Sequence, residues 1–191
     1  MNRVVTSRDA ILAQSRRLVQ QQGWQALNIR SVATACSISV GSVYHYFSSK
    51  SELMEAIIES VWQDVLHLPQ QEGETGGFRE QVALLFQRLA EGERRYPGFF
   101  SLHSMGFLGE DRAFGQHRMA QTWTHIQLQL RNLLKEDPRV RPGALEGALT
   151  PETLAEIVFS QMLAALLRRE YDCAPLLALI DRALYLSLIH I

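Results

Sequence analysis

Several things are scarce in this sequence, and each shortage excludes a class of protein. Among 191 residues there are two cysteines, Cys36 and Cys173. They match no metal-site spacing and are too few for a disulfide framework, so free thiols in a reducing compartment are expected. No apolar run reaches the roughly 20 residues that a membrane span needs. The longest, from Leu154 to Leu167, is interrupted by Glu156, Ser160 and Gln161. The amino-terminal MNRVVTSRD lacks the apolar core of a secretory signal, and a cytoplasmic protein without a membrane partner is expected. No stretch alternates apolar and polar residues with β-branched enrichment, which argues against sheet. Catalytic signatures are missing as well: there is no HExxH, GxSxG, GxxxxGK[ST] or GxGxxG, and His103, His117 and His125 have no paired ligand spacing. Neither an enzyme, a cofactor nor a metal site is expected.

The most informative shortage is of acid at one end. Residues 1–50 hold a single acidic residue, Asp9, against Arg3, Arg8, Arg16, Arg17, Arg30 and Lys50, a net charge of +5. The remainder holds 13 basic and 19 acidic residues, a net charge of −6. The overall −1 therefore conceals a basic head on an acidic body, and the head is the part expected to meet a polyanion.

What is present is helical periodicity along nearly the whole chain, within a composition that is 47% hydrophobic and 20% charged, as in folded globular proteins. Thr6 is placed to cap a first helix whose inner face is Ile11, Leu12, Ser15, Leu18 and Val19, with Gly23 ending it. A short second helix starts after Asn28 and runs to about Cys36, and a third covers about Val40 to Tyr46 after Ser39. Ser49-Lys50-Ser51-Glu52 reads as a capping box opening a long fourth helix, with Glu52 reaching back to Ser49. Pro69 and the Gly73–Gly77 stretch break the chain. Helices then follow over Phe78–Leu89, over a short piece from Phe99 to Leu108, and over a long piece containing Met119 to Leu133. Thr150-Pro151-Glu152 starts another, and Ala174–Tyr185 forms the last. The fold class is all-α.

From Val32 to Leu53 the sequence reads VATACSISVGSVYHYFSSKSEL. Two short helices flank a tight turn at Cys36-Ser37-Ile38, held by Val32, Ala33, Ile38, Val43 and Phe47. Gly41 and Ser42 keep the front of the third helix low, while Tyr44, His45 and Lys50 offer a phenol, an imidazole and an ammonium outward. These are the parts of a helix-turn-helix whose second helix enters the major groove of double-stranded DNA. The segment resembles the DNA-binding domain of the tetracycline-repressor (TetR) family, whose pattern runs roughly I-A-x-x-A-G-V-S-x-G-T-x-Y-x-Y-F-x-S-K-x-x-L. The resemblance covers about Thr6 to Val65. It implies that Ser42, Tyr44, His45 and Lys50 touch phosphates and that Ser39, Val40 and Gly41 face the groove. It also implies that Asn28 or Arg30 contacts backbone or base from the second helix. Ser37 stands where the family has a turn glycine, and Ser42 where it has threonine.

The body reads as a separate helical part. Residues 1–50 are expected to form the DNA-binding domain and residues 51–185 the effector-binding and dimerisation domain. Residues 186–191 match an in-frame translation of a transposon mosaic end (CTG TCT CTT ATA CAC ATC). They are expected to be an artefact that replaces the true carboxyl terminus. The last two long helices are apolar on nearly every side and are expected to share burial with a second copy. Leu154, Ile157, Val158, Gln161 and Ala165 on one, and Leu176, Ile180, Ala183 and Leu184 on the other, would form a four-helix bundle in the homodimer. Two-fold symmetry then calls for a palindromic operator. Phe99, Phe100, His103 and Phe107, with Trp123 and Ile126 from the next helix, have the composition of an apolar pocket for a small hydrophobic effector. The function expected is a repressor released from its operator by that effector. The alternative is a DNA-binding dimer of the same fold that senses nothing small and serves recruitment or chromosome organisation.

Overall fold

The computed structural model describes residues 7–66, 76–100 and 112–186, with backbone only over 112–122. Among the described residues every regular element is helical. Helix α1 is Arg8–Gln22, α2 Ile29–Ala35, α3 Val40–Tyr46, α4 Lys50–Leu66, α5 Phe78–Arg95, α6 Arg112–Glu136, α7 Pro151–Arg168 and α8 Ala174–Ile180. A 3₁₀ turn at Trp24–Ala26 precedes α2, and a wide π turn at Asp181–Tyr185 continues α8. The chain divides into two compact units. The first comprises residues 1–67 and 91–119, the second residues 68–90 and 120–191. Helices α5 and α6 each contribute residues to both units, and α4 belongs to the first.

In the first unit α1 packs on α2 and α4, and α2 on α3. Ile11, Leu18 and Val19 of α1 are buried, as are Val32, Ala33, Val43, Phe47, Leu53, Ile57 and Val61 of the elements that follow. Ser15 lies on the same inner face and is fully buried. Its hydroxyl donates to the Ile11 carbonyl at 2.9 Å, which satisfies it inside an apolar surround. The cap of α1 is one residue later than expected: Ser7 Oγ accepts from the Ala10 N–H at 3.1 Å. Tyr96 has no solvent exposure, and its phenol is nevertheless satisfied. It donates to Asp64 Oδ2 at 2.7 Å and accepts from Gln20 Nε2 at 3.0 Å. Burial, and then the Asp64 hydrogen bond, push the Tyr96 hydroxyl up to about 12.

The turn between α2 and α3 is a Schellman motif. Ser37 N–H reaches the Thr34 carbonyl and Ile38 N–H reaches the Ala33 carbonyl, both at 3.0 Å. The motif requires a left-handed residue, and Ser37 takes it with φ +55°. A side chain there is strained, so the glycine of the family pattern is the relaxed choice.

The second unit is organised around a buried carboxylate. Asp137 Oδ2 accepts from the Phe78 N–H and the Tyr185 hydroxyl, both at 2.8 Å, and Oδ1 accepts from the Arg139 N–H at 3.0 Å. The Arg139 guanidinium adds two contacts at 3.2 Å and extends to Glu80. One side chain thereby joins the start of α5, the end of α6 and the turn after α8. Gly77 is required beside it, since a Cβ would collide with the Arg139 guanidinium and the Asp137 carboxylate. Helix α7 begins as its sequence signals, with Thr150 Oγ1 accepting from Thr153 N–H at 3.1 Å and proline in the first turn.

Two stability experiments follow from these contacts. Ser37→Gly is expected to stabilise the protein by about 1 kcal/mol and raise Tm by about 2–4 °C in a thermal melt, leaving DNA affinity unchanged. Burial alone would raise the Asp137 carboxyl, but hydrogen bonds from Arg139, Tyr185 and Phe78 outweigh it and hold the carboxyl far below the usual range. Its contribution is therefore complete above the unfolded value near about 4 and is lost as pH falls toward the depressed folded value. Asp137→Asn is expected to cost about 2–3 kcal/mol in urea unfolding at neutral pH, with the gap to wild type narrowing below about pH 4.

Candidate nucleic-acid interface

Residues 28–50 form a scaffold whose inward side chains are committed to the fold and whose outward ones are not. Asn28 Oδ1 accepts from the N–H groups of Arg30 and Ser31, both at 3.0 Å, and Ser31 Oγ accepts from Asn28 N–H at 2.9 Å. This is a capping box with serine in the returning position. Asn28 Nδ2 donates to the Ala26 carbonyl at 3.3 Å. Both ends of the Asn28 side chain thus serve the entry to α2. Of the two residues expected to reach DNA from this helix, Arg30 is exposed and carries no such local duty.

Ser39 caps α3, its Oγ accepting from Ser42 N–H at 2.9 Å and lying 2.8 Å from Ser42 Oγ. Val43 and Phe47 are buried beneath the helix. The opposite face carries Val40, Gly41, Ser42, Tyr44 and His45. Gly41 and His45 are exposed, Tyr44 is 46% exposed, and Val40 and Ser42 are half-buried. The His45 ring meets the Tyr46 ring edge-on at 5.4 Å. Lys50 is exposed in the first turn of α4. Gly41 is not demanded by the protein's own packing: a Cβ there would meet only Ser39 Oγ, at an ordinary 3.6 Å. A glycine retained in a helix at a position with room for alanine fits a surface that a partner must approach closely.

The basic residues of the head divide in two. Arg8 donates to the Tyr46 carbonyl and to Glu52, and Arg16 donates to Ser60 Oγ, so both are used inside the unit. Arg17, Arg30 and Lys50 are exposed, and Arg3 lies outside the described residues. Glu52 does not reach back to Ser49 as expected. Ser49 Oγ does accept from Glu52 N–H at 3.0 Å, but the Glu52 carboxylate takes the N–H and hydroxyl of Ser48, both at 2.7 Å. The pairing of Arg8 with Tyr46 and Glu52 was missed because these partners are 38 and 44 residues away in sequence. The one local signal is the misfit of a cation in the first turn of α1, where the helix dipole disfavours it.

The residues expected at an effector site are distributed over both units. Phe99 and Phe100 are buried in the first unit in an aromatic cluster. Phe99 lies 5.3 Å from Trp24, 5.8 Å from Trp62 and 5.0 Å from Phe100. Trp123 and Ile126 belong to the second unit, where Trp123 meets Phe159 at 5.8 Å. His103 and Phe107 lie outside the described residues. Among the described residues no cluster of three or more metal-binding side chains occurs, and no helix is long and apolar enough to cross a membrane.

Two short helices, capped at Asn28 and Ser39 and joined by a Schellman turn, with a low, polar outer face on the second, define a helix-turn-helix DNA-binding regulator. The family model for "Bacterial regulatory proteins, tetR family" matches residues 11–57. Nucleoid occlusion factor SlmA of Escherichia coli O1:K1 / APEC is 31% identical over 170 residues, covering 83% of this chain and 81% of SlmA. The SlmA of Shigella boydii serotype 18 gives the same figures. Solved structures share the fold. The reduced form of E. coli NemR has a TM-score of 0.62 at 20% identity, covering 94% of this chain and 98% of its own. BioQ with its double-stranded DNA operator has a TM-score of 0.57 at 16% identity, covering 93% and 97%. Regulatory protein TetR from Rhodobacter sphaeroides has 0.55 at 21%, covering 90% and 93%. The chain belongs to the tetR family of bacterial regulatory proteins.

Gly41 offers a test that separates recognition from folding. Gly41→Ala is expected to stabilise the protein by roughly 0.5–1 kcal/mol while weakening DNA binding. Denaturant unfolding and an electrophoretic or anisotropy titration on the same preparation give the two readings. A variant that gains stability and keeps full DNA affinity removes Gly41 from the interface.

Proposed function

We propose that this protein is a cytoplasmic, homodimeric repressor that leaves a palindromic operator when a small apolar effector binds. Arg30, Ser39, Val40, Gly41, Ser42, Tyr44, His45 and Lys50 would meet the DNA from α2, α3 and the start of α4, with Asn28 holding the entry to α2. The observation that carries the effector reading is the position of the aromatic stretch 96–100 in the first unit. Pro97 carbonyl accepts from Trp24 N–H at 2.9 Å, and Phe99 packs edge-on against Trp24. Trp24 opens the turn that leads into α2. A ligand that displaced Phe99 or Phe100 would therefore disturb the support of the helix-turn-helix directly.

The dimer reading rests on apolar side chains left at the surface of α7 and α8. Ile157 and Leu167 are 42% and 57% exposed, Leu179 is 65% exposed, and Gln161 is exposed between the first two. Ile157, Gln161, Ala164 and Leu167 follow a helical stripe. Leu154, Val158, Ala165, Leu176, Ile180 and Leu184 are instead buried within their own chain, and Ala183 is half-buried. The proposed contact with the second copy is thus rotated toward Ile157 and Leu167. The expected set from Leu154 to Leu184 serves mainly as the core beneath it.

The similarity to SlmA favours a second reading, a DNA-bound regulator that senses no small molecule and acts in nucleoid occlusion. One set of measurements tests both. A panel of hydrophobic metabolites, dyes and drugs is expected to contain a compound that raises Tm and releases DNA. A coupling of about 1–3 kcal/mol corresponds to a loss of roughly 5- to 150-fold in DNA affinity. Stabilising compounds that all leave DNA affinity unchanged would favour the second reading. For the dimer, the double variant Ile157→Glu, Leu167→Glu is expected to sediment as a folded monomer with weakened operator binding. An intact dimer in that variant would overturn the proposed interface.

A further inference from the structure

Arg8 is the first residue of α1, the end at which a helix dipole opposes a positive charge by about 0.3–1 kcal/mol. Its guanidinium is placed at the opposite kind of site. Nη1 donates to the Tyr46 carbonyl at 3.1 Å and to Glu52 Oε1 at 2.8 Å, and Cζ lies 4.4 Å from the centre of the Phe47 ring. Tyr46 is the last residue of α3, so its carbonyl is one of the groups a helix cannot satisfy by itself, at the end where a cation is favoured. Phe47 is the C-cap of α3 and is buried. The second oxygen of Glu52 closes the turn between α3 and α4 by accepting the N–H and the hydroxyl of Ser48. The Arg8 hydrogen bond, followed by those of Ser48, draws the Glu52 carboxyl down to about 2, so the pair stays ionised under physiological conditions. One guanidinium therefore contacts the last carbonyl of α3, the aromatic ring that ends it, and the carboxylate that shapes the turn leading to Lys50.

We propose that Arg8 is a positioning residue for DNA recognition. Through the Tyr46 carbonyl, the Phe47 ring and Glu52 it fixes the carboxyl end of α3 and the location of Lys50, and it does not itself contact DNA. This rests on the reading above that α3 and Lys50 meet the duplex. Helix α3 has seven residues, too few to persist without tertiary support, so its direction is set by what holds its two ends. Ser39 holds the first end, and Arg8 and Phe47 the second.

A simple electrostatic role and a positioning role predict different outcomes. If Arg8 were a phosphate contact, Arg8→Met would weaken operator and scrambled duplexes alike and lower the salt slope by about one per head. Glu52→Gln, which removes a negative charge from the DNA-facing unit, would then strengthen binding. Positioning predicts that Arg8→Met and Glu52→Gln each weaken an operator duplex about tenfold, or about 1.4 kcal/mol. Affinity for a scrambled duplex falls less, because contacts in the groove depend on the direction of α3 more steeply than contacts to phosphates do. The double variant is expected to be little worse than either single one, because both break the same unit. Arg8→Lys is expected to recover part of the loss, since an ammonium reaches one acceptor but lacks the fork. The probes are an operator duplex selected by the wild-type full-length chain from a random library and a scrambled duplex of equal length. Circular dichroism and Tm identify any variant that unfolds, and Glu52→Gln and Arg8→Lys carry the test if Arg8→Met does so. Wild-type operator affinity in Arg8→Met, an equal loss on operator and scrambled duplexes, or tighter binding in Glu52→Gln overturns the proposal. Lys50→Ala and Tyr44→Phe in the same assay separate the two failures. If they also bind as wild type, the α3 interface itself is wrong, and if they weaken binding while Arg8→Met does not, only the positioning role is lost.

Discussion

A helix of two turns cannot hold its own shape in water, and the DNA-binding head is built under that constraint. Both α2 and α3 have seven residues. Neither gains enough from its own hydrogen bonds to offset the entropy of ordering, so each depends on its caps and on the apolar surface beneath it. Asn28 and Ser39 satisfy the first N–H groups, the Schellman turn satisfies the last carbonyls of α2, and Arg8 satisfies the last carbonyl of α3. Val32, Ala33, Val43 and Phe47 then form the buried side of the pair, with α2 packed on α1 and on α3. With the inner residues committed in this way, the outer ones are left available for a partner.

That division of labour explains how the head's positive charge is distributed. Charge counted along the sequence suggests six cations aimed at DNA, but the fold uses Arg8 and Arg16 to tie α1 to the end of α3 and to α4. Ionic contacts within the protein and ionic contacts with a polyanion draw on the same residue type. Only the contacts separate them, and here they leave Arg17, Arg30 and Lys50 outward. Gly41 follows the same logic in reverse. Its own chain would accept a methyl group, so the packing of the unit does not require its smallness.

The second unit meets a different requirement. Its helices are strongly apolar, and apolar packing alone leaves their ends weakly specified. Asp137 supplies the specificity, collecting donors from residues 78, 139 and 185 into one buried carboxylate. An ionised group can remain buried there because both of its oxygens accept hydrogen bonds and it pairs with Arg139. The apolar side chains left over at the surface, Ile157, Leu167 and Leu179, then stand out as the part of the unit that its own core does not use.

The sequence by itself determined the all-helical fold, the caps at Asn28, Ser39 and Thr150, the turn at Ser37 and the outward set on α3. These depend on residues within a few positions of one another, where backbone geometry fixes the outcome. The exact start of α1 was off by one, since Thr6 and Ser7 are chemically equivalent caps. Only the tertiary structure decided what Arg8 and Glu52 do, because their partnership spans 44 residues and has no periodicity. The same holds for α7 and α8. Periodicity marks both as apolar on nearly every side, but which side meets the chain's own core is a rotation about the helix axis. That rotation is set by neighbours distant in sequence, and it buries Leu154, Val158 and Ala165 while exposing Ile157 and Leu167.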